Sequence, residues 1–215
     1  MLLARRARFN SVPAALSATF IASASSAANQ TTYDHSTFVI PRAGLVVVVA
    51  TAESGSTRQF SSCTIGGGAA TVATYYASNV AVQGGIAYKE MAAGTHNVSV
   101  TYSGGVTSAG VGVYLIENYT SATPNDTDNN YNGLSTAGTS TITIPANGVG
   151  IFGVAAAVSN DPTWSDATED WSITPETNRF AGATLATETL LTDHVETSDF
   201  SLGSGSKLTV AASWS

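Results

Sequence analysis

The sequence predicts an all-β protein: an antiparallel two-sheet sandwich of jelly-roll-like topology, preceded by an extended N-terminal arm. Residues 96–102 (HNVSVTY) alternate polar and apolar side chains, which places Val98, Val100 and Tyr102 on one face of a strand. Clusters of Gly, Pro, Asn and Ser interrupt the apolar runs at short intervals, as antiparallel sheets require. Helical spacing is absent from the body of the chain, and only residues 14–22 are compatible with a short helix.

Strand candidates follow one another from about Thr31 to the C-terminus. The run 45–50 is continuously apolar, which is typical of a central strand buried on both faces. The run 149–158 is also apolar and is rich in Ala and Gly, which favours the close approach of a neighbouring sheet. The other candidates are 33–40, 60–65, 70–76, 86–89, 96–102, 111–119, 139–144 and 207–215. No repeat of about 20–50 residues is visible, so solenoids and propellers are set aside.

The chain divides into residues 1–30, predicted as an anchoring arm, and residues 31–215, predicted as one β-sandwich domain. A sandwich of this size buries enough surface to fold without a disulfide. Residues 1–28 imitate a secretory signal peptide, with a basic start, a mildly apolar middle and small residues at the end. The apolar part is interrupted by Ser and Thr, and we expect the segment to remain on the protein and to lie on a partner. A cleaved leader is the alternative.

The formal net charge is −7, and it is unevenly distributed. Arg5, Arg6 and Arg8 lie in the arm, which contains no Asp or Glu, so the body carries about −10. An acidic body binds nucleic acid poorly, because phosphate contacts need clustered Lys and Arg. The apolar part of the arm is too short to span a membrane. Only 11% of the residues are charged, which suits either a surface partly covered by neighbours in an assembly or a monomer coated with Ser and Thr.

No residue pattern points to catalysis, a metal or a cofactor. His35, His96 and His194 have no metal-ligand spacing, and the lone Cys63 is predicted to be a small buried residue. The sequence lacks the H-E-x-x-H, C-x-x-C and phosphate-loop motifs. We therefore expect a protein that is not an enzyme and that has no catalytic residue, no metal site and no cofactor.

One polar stretch, residues 120–138, is predicted as a long loop, and such loops often make contacts. Asp126, Asp128 and Tyr131 within it are candidates for a surface that faces a host glycan. The alternating oxygen ligands of residues 126–130 resemble a Ca²⁺ ladder, but the Gly and the distal Glu of an EF-hand are missing. A solvated turn explains these residues as well.

Asp166, Glu169 and Asp170 leave a second class of function open. They lie between Trp164 and Trp171, and paired carboxylates flanked by aromatic side chains occur in glycosidases and sugar-binding sites. A charged turn beside core tryptophans is the simpler interpretation.

Five segments occur in the order CTIGGGAATVATYYAS, IAYKEMAAGTHNVSVTYSG, TWSDATEDWSI, NRFAGATLATETL and LTVAASWS. Together they resemble a β-sandwich module found in virion proteins of tailed bacteriophages and related prophages. The resemblance covers about residues 37–215, and the features that carry it are structural: glycine turns, an Ala-Gly-Thr turn before an alternating strand, and a closing Trp. It implies a non-enzymatic virion component and supplies no catalytic residues.

The resemblance implies two places in a phage particle. As a capsid decoration (cement) protein, the chain would lie on the exterior of the head and bind the major capsid protein, other copies of itself, or both, with a trimer favoured. As a tail, baseplate or fibre-associated protein, it would be an adhesin that binds a host surface glycan. The compact body, the short arm and the lack of fibre repeats favour the head. The residues expected to hold the partner lie in the arm and are Arg5, Arg6, Arg8, Phe9, Leu16 and Phe20.

Overall fold

The computed structural model describes residues 15–77, 80–201 and 203–215. These residues form strands and turns and no helix, so the predicted all-β class is confirmed. The strands are β1 (Ser17–Ser26), β2 (Gln30–Ile40), β3 (Gly44–Arg58), β4 (Phe60–Ile65), β5 (Gly68–Ala69), β6 (Thr71–Tyr75), β7 (Val80–Met91), β8 (Gly94–Val106), β9 (Ser108–Glu117), β10 (Asp126–Ser135), β11 (Ala137–Ile144), β12 (Gly148–Ala156), β13 (Thr163–Trp164), β14 (Thr168–Ile173), β15 (Arg179–Thr187), β16 (Leu191–Asp199) and β17 (Gly205–Trp214). The described part of the chain offers no helical candidate for a membrane span.

The first nine strands form two antiparallel sheets. The inner sheet has the order β1-β9-β3-β7-β6, and the outer sheet has the order β2-β8-β4-β5. The pairing is nested: β1 pairs with β9, β2 with β8, β3 with β7, and β4 with β5. In a jelly roll, the first strand pairs with the last strand and the second strand pairs with the last but one, as they do here. The predicted jelly-roll topology is therefore confirmed for residues 17–117, the first jelly roll.

Residues 126–214 repeat this arrangement and form a second jelly roll. Its inner sheet has the order β10-β17-β12-β15-β14, and its outer sheet has the order β11-β16-β13. These are the orders of the first jelly roll, with β10 in the place of β1, β12 in that of β3 and β17 in that of β9. The second jelly roll has no counterpart of β5 among its described residues. The predicted body, residues 31–215, thus comprises two sandwiches, and the first of them already begins at β1.

A sequence signal for this duplication is the pattern Ser-Thr-x-x-Ile-Pro-x-x-Gly, which occurs at residues 36–44 and again at residues 140–148. The two copies are 104 residues apart, well beyond the period of about 20–50 residues that marks solenoids and propellers. Gly44 and Gly148 start the central inner strands β3 and β12. A Cβ atom at these glycines would come within 2.7 Å of the Ile116 backbone oxygen and 2.6 Å of the Trp214 backbone oxygen. The same close approach of two backbones explains glycine at both positions.

The two jelly rolls stack through their inner sheets, so the molecule has four β layers. The run that starts β3 serves two cores at once, since Val46 and Val48 face the outer sheet of their own jelly roll and Leu45 and Val47 face the second jelly roll. This double burial explains the continuous apolar run. The cluster between the two inner sheets includes the fully buried Tyr114, Phe180 and Trp214. Smaller clusters join the second inner sheet to its outer sheet.

The contacts between the inner sheets are reciprocal. Strand β3 lies against β12, β7 against β17, β9 against β15, β6 against β10 and β1 against β14. Exchanging each strand for its counterpart in the other jelly roll returns these five contacts, as in an isologous interface of a twofold dimer, although the contact between β6 and β17 has no counterpart of similar extent between β14 and β9. The chain is therefore an intramolecular pseudo-dimer, with the approximate twofold axis between β3 and β12.

Side chains on this axis differ in size between the two jelly rolls. Val49 and Gly153 hold equivalent positions in β3 and β12 and face each other, and a Cβ atom on Gly153 would come within 2.2 Å of Val49 Cγ1. A valine at both positions would overlap, and a glycine at both would leave a gap. Because Gly153 has no side chain, the Val49 side chain of the other jelly roll fits into the space between the two strands.

The same complementarity occurs on both sides of the axis. Gly84 faces Leu208, whose Cδ2 lies 2.7 Å from the position of an added Cβ, and Gly110 faces Phe180 at 2.9 Å. In the strand pairing, Gly84 holds the position in the first jelly roll that Phe180 holds in the second, and Gly110 holds the position that Leu208 holds. The two contacts are therefore related by the approximate twofold axis, and in both of them the first jelly roll supplies the glycine and the second supplies the large side chain. Two copies of one half would place large against large or small against small. The halves are shaped to pair with each other.

Strand β1 lies within the segment predicted as an arm. It pairs with β9 from Ser17 to Ser26, with one irregularity after Phe20. The short helix expected at residues 14–22 is therefore wrong from Ser17 onward, because pairing with β9 sets an extended backbone. Residues 1–14 of the predicted arm lie outside the described residues.

His35 is a buried titratable group at the corner between β1 and β2. It is 7% exposed, its ring lies parallel to that of Tyr33 at 6.1 Å, and its Nε2 atom has no hydrogen-bond partner among the described residues. Burial lowers the pKa of His35 to about 4, although the neighbouring Asp34 acts to raise it. The side chains around it are mostly apolar and small: Ala22, Ser23, Ala24, Phe38, Val98, Val111 and Val113. The folded protein therefore holds this histidine neutral.

Replacing Gly153 with Ala should destabilise the protein by about 1–3 kcal/mol, because the new methyl group overlaps Val49 in a close-packed core. Val49→Ala removes the overlapping group, so the double variant should lose less stability than the two single variants added together. Urea unfolding midpoints measure this coupling. Gly133→Ala is the matched control, because no atom lies within 4 Å of an added Cβ there. Losses that simply add would contradict direct contact across the axis.

The contribution of His35 to the free energy of unfolding should fall as the pH drops from about 6.5 to about 4. Unfolded His35 takes up a proton near its ordinary pKa of 6.5, whereas the folded side chain does so only near pH 4, so the unfolded state binds more protons in this window. The full contribution of this residue is about 3 kcal/mol. His35→Gln should make the free energy of unfolding vary less with pH in this window. Parallel curves for the wild type and His35→Gln would refute this assignment.

Candidate functional site

Two of the predicted partner-binding residues contact their own chain. Leu16 and Phe20 are half-buried and pack against the cluster between the two inner sheets. The Phe20 ring meets Tyr114 edge-on, with ring centroids 5.6 Å apart. Both side chains therefore help to hold β1 on the fold. Arg5, Arg6, Arg8 and Phe9 lie outside the described residues.

The polar stretch predicted as a loop becomes a strand, β10, from Asp126 onward. Its alternate side chains reach the backbone of β11 in the outer sheet. Asp126 Oδ2 accepts a hydrogen bond from the Thr143 backbone N–H at 2.7 Å, and Asp128 Oδ2 accepts one from the Thr141 N–H at 2.7 Å. Asn132 Oδ1 accepts from the Thr139 N–H at 3.3 Å, and Asn130 donates to the Thr139 carbonyl at 3.2 Å. These four side chains of β10 form the Asx ladder.

The Asx ladder follows from strand geometry, because every second side chain of a strand points to the same side. Strand β11 lies at the edge of its sheet, and an unpaired edge is a template for pairing with another chain. The side-chain oxygens of β10 accept hydrogen bonds from β11 backbone N–H groups that a neighbouring strand would otherwise pair with. The alternation of Asp and Asn that resembled a Ca²⁺ ladder in the sequence thus serves to close the second jelly roll.

Tyr131 also makes contacts within the protein. Its hydroxyl lies 3.0 Å from Ser206 Oγ on β17, and its ring centroid lies 5.8 Å from that of Tyr76 in the first jelly roll. Asp126, Asp128 and Tyr131 therefore do not project together from a loop. The predicted host-facing loop is corrected in this respect: pairing of β10 with β17 makes the segment part of the inner sheet.

The three carboxylates considered for a glycosidase take different partners. Asp166 lies on the exposed turn after β13, facing His194. Glu169 Oε2 accepts a hydrogen bond from Trp164 Nε1 at 3.3 Å, and Asp170 Oδ1 accepts one from Thr184 Oγ1 at 3.4 Å. Burial is the main cause that raises the pKa of both Glu169 and Asp170. This arrangement gives no support to a shared catalytic carboxylate pair.

A cluster that the sequence did not reveal lies at the outer layer of the second jelly roll. Glu196 on β16 is 2% exposed and accepts hydrogen bonds from Ser165 Oγ at 2.9 Å and from the Asp166 and Ala167 backbone N–H groups at 3.1 Å. His194 Nε2 lies 3.2 Å from Glu196 Oε2 and 4.0 Å from Asp166 Oδ2. His194 and Glu196 share a face of one strand, but only the folded chain brings the 165–167 turn to them.

Two depressions occupy equivalent places at the end of the molecule where β3 and β12 begin. The first is lined by Ala43, Gly44, Glu90, Met91, Ala92, Asn118 and Tyr119, and the second by Ala15, Leu16, Asn147, Gly148, Ala186, Thr187 and Glu188. In the first, the Tyr119 hydroxyl donates to Glu90 Oε1 at 2.7 Å. Burial together with this carboxylate raises the pKa of Tyr119 to about 12. Both depressions are open to solvent, and their linings differ in chemistry.

No protein-family model matches the chain, and no curated protein matches it. Among solved structures, the chain is similar to one described as "Life in the extremes: atomic structure of Sulfolobus Turreted Icosahedral Virus". The identity is 9%, the match covers 94% of this chain and 91% of that chain, and the TM-score is 0.27. At this level, the similarity carries no argument about fold or function. The resemblance to a tailed-phage virion module stays a prediction.

Replacing Asp128 with Ala should destabilise the protein by about 1–2 kcal/mol, because the Thr141 N–H loses a charged acceptor at the sheet edge. Asp128→Asn should cost less, since its amide oxygen still accepts the hydrogen bond. Amide hydrogen exchange should show faster exchange at Thr141 in the alanine variant. Glu188→Ala, an exposed turn residue, is the control. Unchanged protection of Thr141 in Asp128→Ala would show that the Asx ladder does not hold this edge.

Proposed function

We propose that this chain is a non-enzymatic structural protein of a virus particle, and more specifically a capsid decoration protein that binds the head lattice through its N-terminal arm. The observation that carries the proposal is the architecture: two jelly rolls in one chain, fused through a shared core. Jelly-roll sandwiches are typical of viral capsid and lectin domains. A pair of them with a continuous core is a rigid block suited to bearing load.

The use of polar side chains in the described residues supports this role. The Asx ladder closes a sheet edge, Glu196 holds a turn, and Trp171 Nε1 donates to the buried Tyr114 hydroxyl at 2.9 Å between the two jelly rolls. Such groups stabilise the fold and leave few of the paired acids and bases that catalysis needs. We therefore propose that the protein is not an enzyme.

The outward face of the first outer sheet suits contact with neighbouring subunits. Thr32 on β2 and Thr101 on β8 are directly paired, and their hydroxyl oxygens lie 3.1 Å apart. Ser62 on β4 continues this row of small neutral side chains. This row of three neutral hydroxylated side chains lies beside the exposed Asp34, and neutral side chains impose a smaller desolvation cost on an interface than charged ones do. Each copy would make several modest contacts, and these add up through multivalent binding.

The structure limits how much of the chain can act as an arm. Strand β1 begins at Ser17 and is paired with β9, and we therefore propose that the partner-binding segment lies in the residues before it. Those residues include Arg5, Arg6, Arg8 and Phe9, and basic groups match an acidic lattice surface. The major capsid protein, further copies of this chain, or both are the proposed partners.

Deleting residues 2–14 should leave the thermal midpoint unchanged and abolish incorporation into particles. Deleting residues 2–30 should lower the midpoint as well, because it removes β1 from the inner sheet. Incorporation is measured by quantitative mass spectrometry of purified particles made with each form, and the triple variant Arg5→Ala, Arg6→Ala, Arg8→Ala tests the basic groups at full length.

Full occupancy of the 2–14 deletion would overturn the arm as the anchor. Absence of the intact protein from purified particles would overturn the virion role. Saturable binding to a glycan array by a protein that is found on the tail of the particle and not on the head would favour the adhesin, for which the jelly-roll fold is also suited.

A further inference from the structure

Asp166, His194 and Glu196 bring three metal-ligating side chains together in the outer layer of the second jelly roll. The ligand atoms of the three side chains all lie within 4.8 Å of one another. Within the described residues, His194 Nε2 faces a carboxylate oxygen of both Asp166 and Glu196. One imidazole nitrogen and two carboxylate oxygens that converge on one point are donors that divalent cations use, so the geometry of the cluster points to a cation.

Hydrogen bonds within the protein fix the position of Glu196 without a bound ion. Glu196 is buried, and its two carboxylate oxygens accept from Ser165 Oγ and from the backbone N–H groups of Asp166 and Ala167. These hydrogen bonds fix the carboxylate and fold the 165–167 turn around it. The same turn carries Asp166, so the buried glutamate positions the exposed aspartate opposite His194. Supporting contacts of this kind orient the ligands of metal sites.

The separations suit a small divalent ion. Zinc lies about 2.0–2.1 Å from a histidine nitrogen and about 2.0–2.2 Å from a carboxylate oxygen, which sets ligand atoms about 3.3 Å apart in a tetrahedral site. His194 Nε2 and Glu196 Oε2 are 3.2 Å apart. His194 Nε2 and Asp166 Oδ2 are 4.0 Å apart, and a small rotation of the exposed Asp166 side chain closes that difference.

We propose that Asp166 Oδ2, His194 Nε2 and Glu196 Oε2 bind one divalent transition-metal ion of the zinc class. A neutral imidazole and two carboxylates balance the charge of such an ion, and one nitrogen with two oxygens is a donor set that zinc accepts. Asp166 faces solvent, so the remaining coordination position is open to water or to a group from another molecule. The site revises the expectation, drawn from residue spacing alone, that the chain has no metal site.

The test uses the full chain without a purification tag, stripped with a chelator and titrated with ZnCl₂ by isothermal titration calorimetry. The wild type should bind one Zn²⁺ per chain and should gain thermal stability on binding, because the ion favours the folded state. Asp166→Asn should weaken binding about tenfold or more, and His194→Gln should abolish it. His96→Gln, in the first jelly roll, is the matched control and should bind as the wild type does. Co²⁺ in place of Zn²⁺ should give the visible absorption of a tetrahedral site.

No saturable binding to the wild type, or equal affinity in His194→Gln, would overturn the proposal. Should His194→Gln fail to fold, Asp166→Asn and the Co²⁺ spectrum decide, because Asp166 is an exposed side chain whose replacement leaves the buried Glu196 intact. Metal binding and particle incorporation are measured separately, so this inference can fail while the proposed virion role holds.

Discussion

The burial of two inner sheets against each other is the constraint on which this structure depends. Strand β3 is apolar on both faces because one face completes the core of its own jelly roll and the other meets β12. Close approach then requires that large and small side chains alternate across the approximate twofold axis, as Val49 does with Gly153. Protein interiors are packed to crystal-like density, so neither half could be exchanged for a copy of the other. Fusion into one chain ensures that the unlike halves meet.

The two halves have diverged most clearly at the corner where their first two strands run side by side. In the second jelly roll, the Asx ladder of β10 satisfies the edge of β11 with side-chain oxygens. In the first, the corresponding corner between β1 and β2 is lined by Ala22 and Ala24 and encloses the neutral His35. One corner is thus sealed by hydrogen bonds and the other by small apolar contacts. The hydrogen bonds of the second corner satisfy an edge that could otherwise pair with another chain, whereas the side chains of the first corner only cover theirs.

The side chains proposed to bind an ion lie near the surface of the protein. The described interior consists mostly of apolar side chains and hydrogen-bonded polar groups, and His35 Nε2 is one of the exceptions. The Asp166, His194 and Glu196 cluster lies in the outermost layer, where a turn is held by a buried carboxylate. A cation there would stabilise that turn and offer a coordination position to a neighbouring molecule. The proposed assembly role and the proposed ion site are argued from different residues, so each can be tested without the other.

Local pattern alone determined the fold class and most strands of this protein. Alternation in residues 96–102 and the apolar run at 45–50 specify strands because side-chain direction in a strand depends only on sequence parity. The same alternation explains why the side chains of the Asx ladder lie on one side of β10. The sequence could not show that Asp126 and Asp128 would face the β11 backbone. Tertiary pairing decided that residues 17–26 are a strand, that the strands divide into two jelly rolls, and that Asp166 meets His194 and Glu196. These outcomes depend on contacts between residues far apart in the chain, whose free energy no short window of sequence contains.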